Sequence, residues 1–518
     1  MKMSILSFEF LFFVLVVLIF YYVLPLRFRW MALLLFSGVF VALSGWQGAV
    51  HLSVVALITW GGALVLSDLR RREKNAEEPA RTQKYALSRR VLLAALLLCD
   101  LGSMIFVKYY PVVAHWLNGW LLTDRKQGLP AWDMIVPLGL SYFTFQTAGY
   151  LIDVYWEKAE AMKNPLRTML FAGYFLQLPQ GPISNWRDLE KQLSTGHRLE
   201  PVNIVTGFQL MVWGYFKKLV IADRLAATTE ALLTGESLPG WLVLGGVILY
   251  TVRLYADFSG GMDVVRGISR MLGISLPENF QRPFFSKSVA EYWRRWQITL
   301  GAWFRSYLLY PLATSRAGIA LGKRSSRILG KKTARVLPTA LATLLVFLMI
   351  GIWHMASWNA VVYGGYFGIL MAVSMLLEPA WRWMNRQFRL PKGGWMAAFR
   401  MIRTWGLVLL AQYFAFTADP GQGLSLLRQT FSNWDFSNFT GLCAEIMMPL
   451  EWLIAGIALA ALLIVDMMAE KKMDVGSALA RTHVYIRWPV WLIMIACVLV
   501  FGCYGQGFDS SAFLYTQF

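Results

Sequence analysis

Apolar runs of about twenty residues recur along this chain, and a run of that length is what a helix needs to cross the hydrocarbon of a bilayer. In lipid a spanning segment must satisfy its own backbone polar groups, which a helix does internally. The recurrence therefore predicts an all-α, polytopic integral membrane protein of roughly ten to thirteen tilted and re-entrant helices. Composition excludes the alternative of a water-soluble globule: 57% of the 518 residues are hydrophobic and 15% are charged, against about a quarter charged in an ordinary soluble domain.

The spans read at residues 5–24, 31–43, 52–66, 91–107 and 134–154, then at 204–221, 241–255, 340–353, 360–377, 404–416, 452–468 and 489–501. The first looks like a retained helix, because Tyr21, Tyr22 and Pro25 stand where a signal peptidase needs small residues. Residues 68–90 make the most polar loop, and the positive-inside rule places it and the Arg27/Arg29 turn in the cytoplasm, with the N-terminus outside. The net charge of +19 resides in such loops, so it reads as membrane orientation rather than nucleic-acid binding. Residues 171–178 are apolar but short and end in Pro179-Gln180-Gly181-Pro182. They predict a re-entrant element, which survives at membrane depth only inside protein or beside a water-filled cavity. Residues 253–335 are aromatic and basic and suit helices at the interface; residues 382–403 suit a surface loop or helix. Cys99, Cys443, Cys497 and Cys503 form no CxxC pair, which predicts buried thiols.

Five histidines, at 51, 115, 197, 354 and 483, are the first candidates for a base working near neutral pH. His354 stands out, since it ends an apolar run in Gly351-Ile352-Trp353-His354 and an ionisable group at membrane depth usually marks a cavity or pathway. A neutral histidine bonded to helix backbone is the alternative. Asp257, Ser259 and Asp263 form a second cluster, readable as substrate-positioning or as helix capping; no further ligands follow at metal-binding spacing, so no metal is expected. Around Asn279, the segment Trp293-Arg294-Arg295-Trp296, together with Arg305, offers guanidinium groups that suit the phosphates of a donor such as coenzyme A. An aromatic and basic belt on anionic lipid fits the same spacing. Neither a phosphate-binding GxxxxGK[ST] loop nor a G-x-S-x-G elbow is present.

Taken in order, several segments resemble the membrane-bound O-acyltransferase family, in its bacterial branch of alginate O-acetylation and D-alanyl transfer proteins. They are residues 136–146, Gln177-Leu178-Pro179-Gln180-Gly181-Pro182-Ile183, Tyr255-Ala256-Asp257-Phe258-Ser259-Gly260, residues 278–305, Gly351-Ile352-Trp353-His354 and residues 513–518. The resemblance implies helices around a central funnel, a single acyltransferase domain over residues 1–518 (peripheral helices 1–135, catalytic core 136–378, C-terminal helices 379–518), and His354 as the catalytic general base. Bacterial relatives carry histidine where this chain has Gln297, which hydrogen-bonds but does not titrate; it is expected to orient the substrate carbonyl or thioester. Asp257, Ser259, Asn279, Trp293, Arg294, Arg295, Trp296, Arg305, Trp353 and Asn359 are the expected donor- or substrate-binding residues.

The implied function is transfer of acetyl from acetyl-CoA, or another acyl thioester, to hydroxyls of an exopolysaccharide or cell-wall glycan. No bound cofactor is expected. The implied setting is the inner membrane, with an extracytoplasmic SGNH or esterase-like partner. Two other readings stand beside it: D-alanyl or other acyl transfer from a carrier-protein thioester, and a transporter or channel without covalent chemistry.

Overall fold

The computed structural model describes residues 4–121, 136–234, 238–388, 393–432, 434–473 and 475–504. Residues 134 and 135 of one predicted span, and the 513–518 stretch of the family pattern, lie outside them. Among the described residues the elements are helices and turns, and nine helices are long and apolar enough to cross a membrane. A shorter apolar helix, Phe8–Val23, precedes them. The chain is thus an all-α, polytopic membrane protein.

Many helices outrun the apolar segment that identifies them. Trp46–Lys74 and Pro79–Leu121 carry their helical backbone through most of the polar stretch read as a loop, leaving a short turn between them. Charge pairing accounts for this: Glu73 bonds Arg70 at 2.8 Å, and Asp68 holds Arg71 and Arg72. Such pairs at helical spacing extend a helix past its apolar section. Of the four cysteines only Cys503 is buried, and Cys99 is exposed on its helix; a cysteine in an apolar run need not face inward when the run is surrounded by lipid.

The chain forms two compact units, Met1–Met211 with Met262–Pro277 and Val212–Gly261 with Glu278–Phe518. In the first, residues 170–178 are buried and broken as expected: helix Pro165–Gly173 gives way to a single helical turn, Gln177–Gln180. Gln177 holds the break together, accepting from Gln146 Nε2 at 3.1 Å and donating to Pro182 O at 2.8 Å and Ser184 Oγ at 2.7 Å. Two segments of the family pattern therefore meet through one glutamine. His197 is tied into its loop by Gln192 O at 2.7 Å, and His51 packs beside Phe143.

The second unit contains helix Arg316–His354, interrupted at Gly330, and helix Trp358–Leu376, which returns along it. Ala360, Gly364 and Gly368 recur every four residues on the returning helix, so small residues form one stripe and let the two backbones close in, as helices in lipid do. A Cβ on Gly364 would overlap the Phe347 carbonyl oxygen, and one on Gly368 would come within 2.8 Å of a Leu344 methyl. Ser357 caps the second helix by accepting from Ala360 N at 3.3 Å. The tight hairpin fixes its own tip, where His354 is the last helical residue.

Candidate active site

A cavity of about 610 Å³, part of it continuous with the exterior, opens at that tip within the second unit. Aromatic and aliphatic side chains make most of its wall, and its polar groups are few: His354, Gln297, Asn359, Gln412 and the hydroxyls of Tyr250 and Tyr363. An apolar pocket with a handful of convergent polar groups is the usual form of a small-molecule site.

Several of those polar groups have hydrogen-bonding capacity left over. Gln297 Oε1, Asn359 Oδ1 and Trp293 Nε1 are buried without a partner among the described residues, and the fully buried Gln412 amide sits beside the Tyr363 hydroxyl. Buried amides are almost always satisfied, so a cluster lining one cavity offers its unused donors and acceptors to whatever occupies it. Asn359 is held by its other end, donating from Nδ2 to the backbone oxygen and hydroxyl of Thr417.

Gln297 occupies an unusual backbone position. Its φ of 44° and ψ of 54° are left-handed, a region that costs a side-chain-bearing residue energy unless its surroundings impose it. Here they do. The backbone of residues 279–281 pairs with the segment on either side of it, through Gln281 N to Arg295 O at 2.9 Å and Ile298 N to Asn279 O at 3.0 Å. Asn279 Oδ1 then accepts from both Thr299 N and Thr299 Oγ1 at 2.9 Å, capping helix Ile298–Phe304 from outside it. Asn279 is thus a support for Gln297 rather than part of the cavity wall.

The structure sorts the remaining candidates. Trp293 and Trp296 line the cavity with Gln297, although the helix ends at Arg295 and the chain passes through an extended Trp296 and a left-handed Gln297; Trp293 is set edge-on between Phe347 and Phe367. Arg294 and Arg295 are not among the cavity-lining residues. Arg294 is exposed, while Arg295 makes a bidentate pair with Glu470 at 2.8 and 2.9 Å and a bond to Glu291 at 2.7 Å. Those bonds, Glu470 foremost, raise the Arg295 guanidinium above its ordinary range. Arg305 begins a π-helical turn and is half-buried, and Trp353 packs its ring against His354, 4.6 Å between centroids, without lining the cavity.

Asp257 and Ser259 are buried beside the cavity wall and paired with lysines inside a candidate membrane span. Lys218 Nζ lies 2.5 Å from Asp257 and 2.8 Å from Asp223, and Lys217 Nζ donates to Ser259 Oγ at 3.0 Å. Both lysines sit on a π-helical turn, Phe216–Ala222, a local widening common at functional sites. Sequence reading missed Lys217, Lys218 and Gln412. The signal was present in each case, a polar residue inside an apolar run.

No family model matches the chain. Over 367 residues it is 30% identical to the probable alginate O-acetylase AlgI of Azotobacter vinelandii, covering 69% of this chain and 66% of that one. Over 300 residues it is 30% identical to the peptidoglycan O-acetyltransferase of Helicobacter pylori (52% and 53% covered), and over 302 residues 25% identical to the teichoic acid D-alanyltransferase of Bacillus subtilis (56% and 71% covered). The chain spans between 45% and 66% of the length of the alginate O-acetylases it matches. Relatives of these kinds, matched along a chain whose sequence pattern runs in the same order, place it: the chain belongs to the membrane-bound O-acyltransferase family.

Proposed function

We propose that the chain transfers a short acyl group, acetyl in the first instance, from a thioester such as acetyl-CoA to a hydroxyl of an exopolysaccharide or cell-wall glycan. The observation that carries this reading is His354 at the end of its helix, on a cavity whose other polar groups are amides and hydroxyls. In the proposed reaction the His354 imidazole takes the proton of the acceptor hydroxyl as that oxygen attacks the thioester carbonyl. The tetrahedral oxyanion collapses, the carbon–sulfur bond breaks, and the sulfur leaves as a thiolate that takes up the proton. The carbonyl end of the Arg316–His354 helix favours the positive charge the imidazole carries in between. Gln297 and Gln412 supply amide N–H donors for the oxyanion, and Asn359 Oδ1 accepts from a second, non-reacting hydroxyl of the acceptor.

The D-alanyl reading rests on the Bacillus subtilis relative. A D-alanyl group brings an ammonium, which a buried site pairs with a carboxylate, and among the described residues no Asp or Glu lines the cavity. Acetyl suits it better. Catalysis over core residues 136–378, an inner-membrane location with the N-terminus outside, and an extracytoplasmic esterase-like partner complete the proposal. The test is acetyl transfer from labelled acetyl-CoA by reconstituted protein and its His354→Ala variant. A fall of about 10²- to 10⁴-fold with unchanged thermal stability supports the reading; undiminished transfer removes His354 from it, and no transfer by the wild type favours a pore.

A further inference from the structure

Between Glu291 and Glu378 the chain contains no acidic residue, and within that stretch residues 316–335 concentrate seven cations: Arg316, Lys323, Arg324, Arg327, Lys331, Lys332 and Arg335. All seven are exposed. None of their side chains forms an ion pair or hydrogen bond with any described residue, whereas exposed arginines elsewhere do: Arg71 and Arg72 with Asp68, Arg81 with Glu78, Arg382 with Glu378. So many uncompensated like charges on so short a stretch repel one another and call for an external anion.

The backbone shows how they are presented. Ser315 Oγ caps the first helical stretch by accepting from Gly318 N at 3.1 Å, and Gly330, at φ 74° and ψ 155°, breaks it. The stretch then folds back on the start of the following span, because Gly322 leaves room: a Cβ there would stand 3.2 Å from Ala334 O and 3.4 Å from a Pro338 ring carbon. On the 3.6-residue repeat Lys323, Arg324 and Arg327 share one sector, and Leu321, Ile328 and Leu329 fall in the next. Ile328 is 87% exposed, with Ile319, Leu321 and Leu329 also open.

We propose that residues 316–335 form a hairpin that binds anionic phospholipid headgroups, the cations pairing with phosphate and Leu321, Ile328 and Leu329 entering the acyl boundary. Basic amphipathic helices lie in the headgroup layer in this way, and clusters of four to eight Lys and Arg beside a span recognise anionic lipid. A lipid occupant is favoured over an acidic protein by continuity: the hairpin runs directly into the span that ends at His354, so a membrane surface is already at hand. The site is separate from the cavity and does not depend on the acyl-transfer reading.

The test reconstitutes the full chain in nanodiscs of phosphatidylcholine with and without phosphatidylglycerol and counts retained lipids by native mass spectrometry. The wild type should retain phosphatidylglycerol at least threefold above its share of the mixture, and this preference should fall towards the bulk ratio both in 1 M NaCl and in a Lys323→Gln, Arg324→Gln, Arg327→Gln, Lys331→Gln variant. An Ile328→Asp, Leu329→Asp variant should weaken retention of both lipids at this site. Equal retention by wild type and the four-fold variant, or a wild-type preference unmoved by salt, overturns the proposal; the salt arm needs no variant to fold. Binding of an acidic soluble protein without any phosphatidylglycerol preference also overturns it.

Discussion

Lys218 Nζ stands 2.5 Å from Asp257 Oδ1, with both side chains almost fully buried. Asp223 shares the same ammonium at 2.8 Å. Removing the cation leaves two carboxylates facing each other, so Lys218→Met should cost about 3–5 kcal/mol, the range for breaking one side of a buried pair. Asp257→Asn should cost less, because Asp223 still holds the lysine. Thermal unfolding of the detergent-solubilised protein distinguishes the two; equal midpoints for Lys218→Met and wild type would show that the pair contributes nothing.

Gln412 lines the cavity with its amide beside the Tyr363 hydroxyl. If it donates to the developing oxyanion, Gln412→Ala lowers kcat by about 10²- to 10³-fold and leaves KM nearly unchanged. Initial rates against acetyl donor concentration separate this from a loss of ground-state binding, which would raise KM alone.

Asn279 acts through its neighbours. Asn279→Ala leaves Thr299 N buried without its acceptor, a loss of about 1–3 kcal/mol, and frees the turn that holds Gln297. Asn279→Asp keeps an acceptor oxygen in place and should recover most of the stability and transfer rate. A variant pair with equal melting points and equal rates would contradict the capping role.

Much of this architecture is legible in the sequence. The apolar runs and the Gly351-Ile352-Trp353-His354 junction locate the spans and the cavity histidine by length and chemistry alone, and the broken element near Pro179 announces itself through its prolines and glycine. The lysines at 217 and 218 stand out as polar residues in an apolar run, but their partners Ser259 and Asp257 lie about forty residues away, a pairing with no local trace. Helix ends were hidden because pairs such as Glu73 with Arg70 extend a helix where hydrophobicity has already stopped. The division of Trp293 and Trp296 from Arg294 and Arg295 was not readable, because the helix ends at Arg295 and the chain turns through an extended Trp296 and a left-handed Gln297.

The helical hairpin makes its own prediction from two adjacent glycines. At Gly364 a side chain would overlap the Phe347 carbonyl, whereas at Gly365 a Cβ meets only a Leu348 methyl at 3.6 Å. Gly364→Val should therefore lose about 1–3 kcal/mol from overpacking and displace His354, reducing transfer; Gly365→Ala should be close to wild type in both. Equal behaviour of the two variants would refute the close packing.

Glu157 bonds Lys74 at 2.5 Å and Arg70 at 2.6 Å. Those cations, Lys74 first, hold its carboxyl below the usual carboxylate range. A depressed folded-state value means the contribution to stability is complete above the unfolded value, about 4.3 for glutamate, and disappears as pH falls through the folded one. The gap in melting point between wild type and Glu157→Gln should thus be present at pH 7 and vanish in strong acid. A gap that persists at low pH would assign it to something other than charge.

The left-handed backbone at Gln297 bears on how this position can vary. Asparagine, aspartate and histidine are the side-chain-bearing residues most often found there, so imidazole fits the turn at least as readily as the amide the chain carries. Exchanging one for the other changes the reagents at the cavity without asking the scaffold to rearrange, which leaves residue 297 open to drift, or to design, on chemical grounds alone.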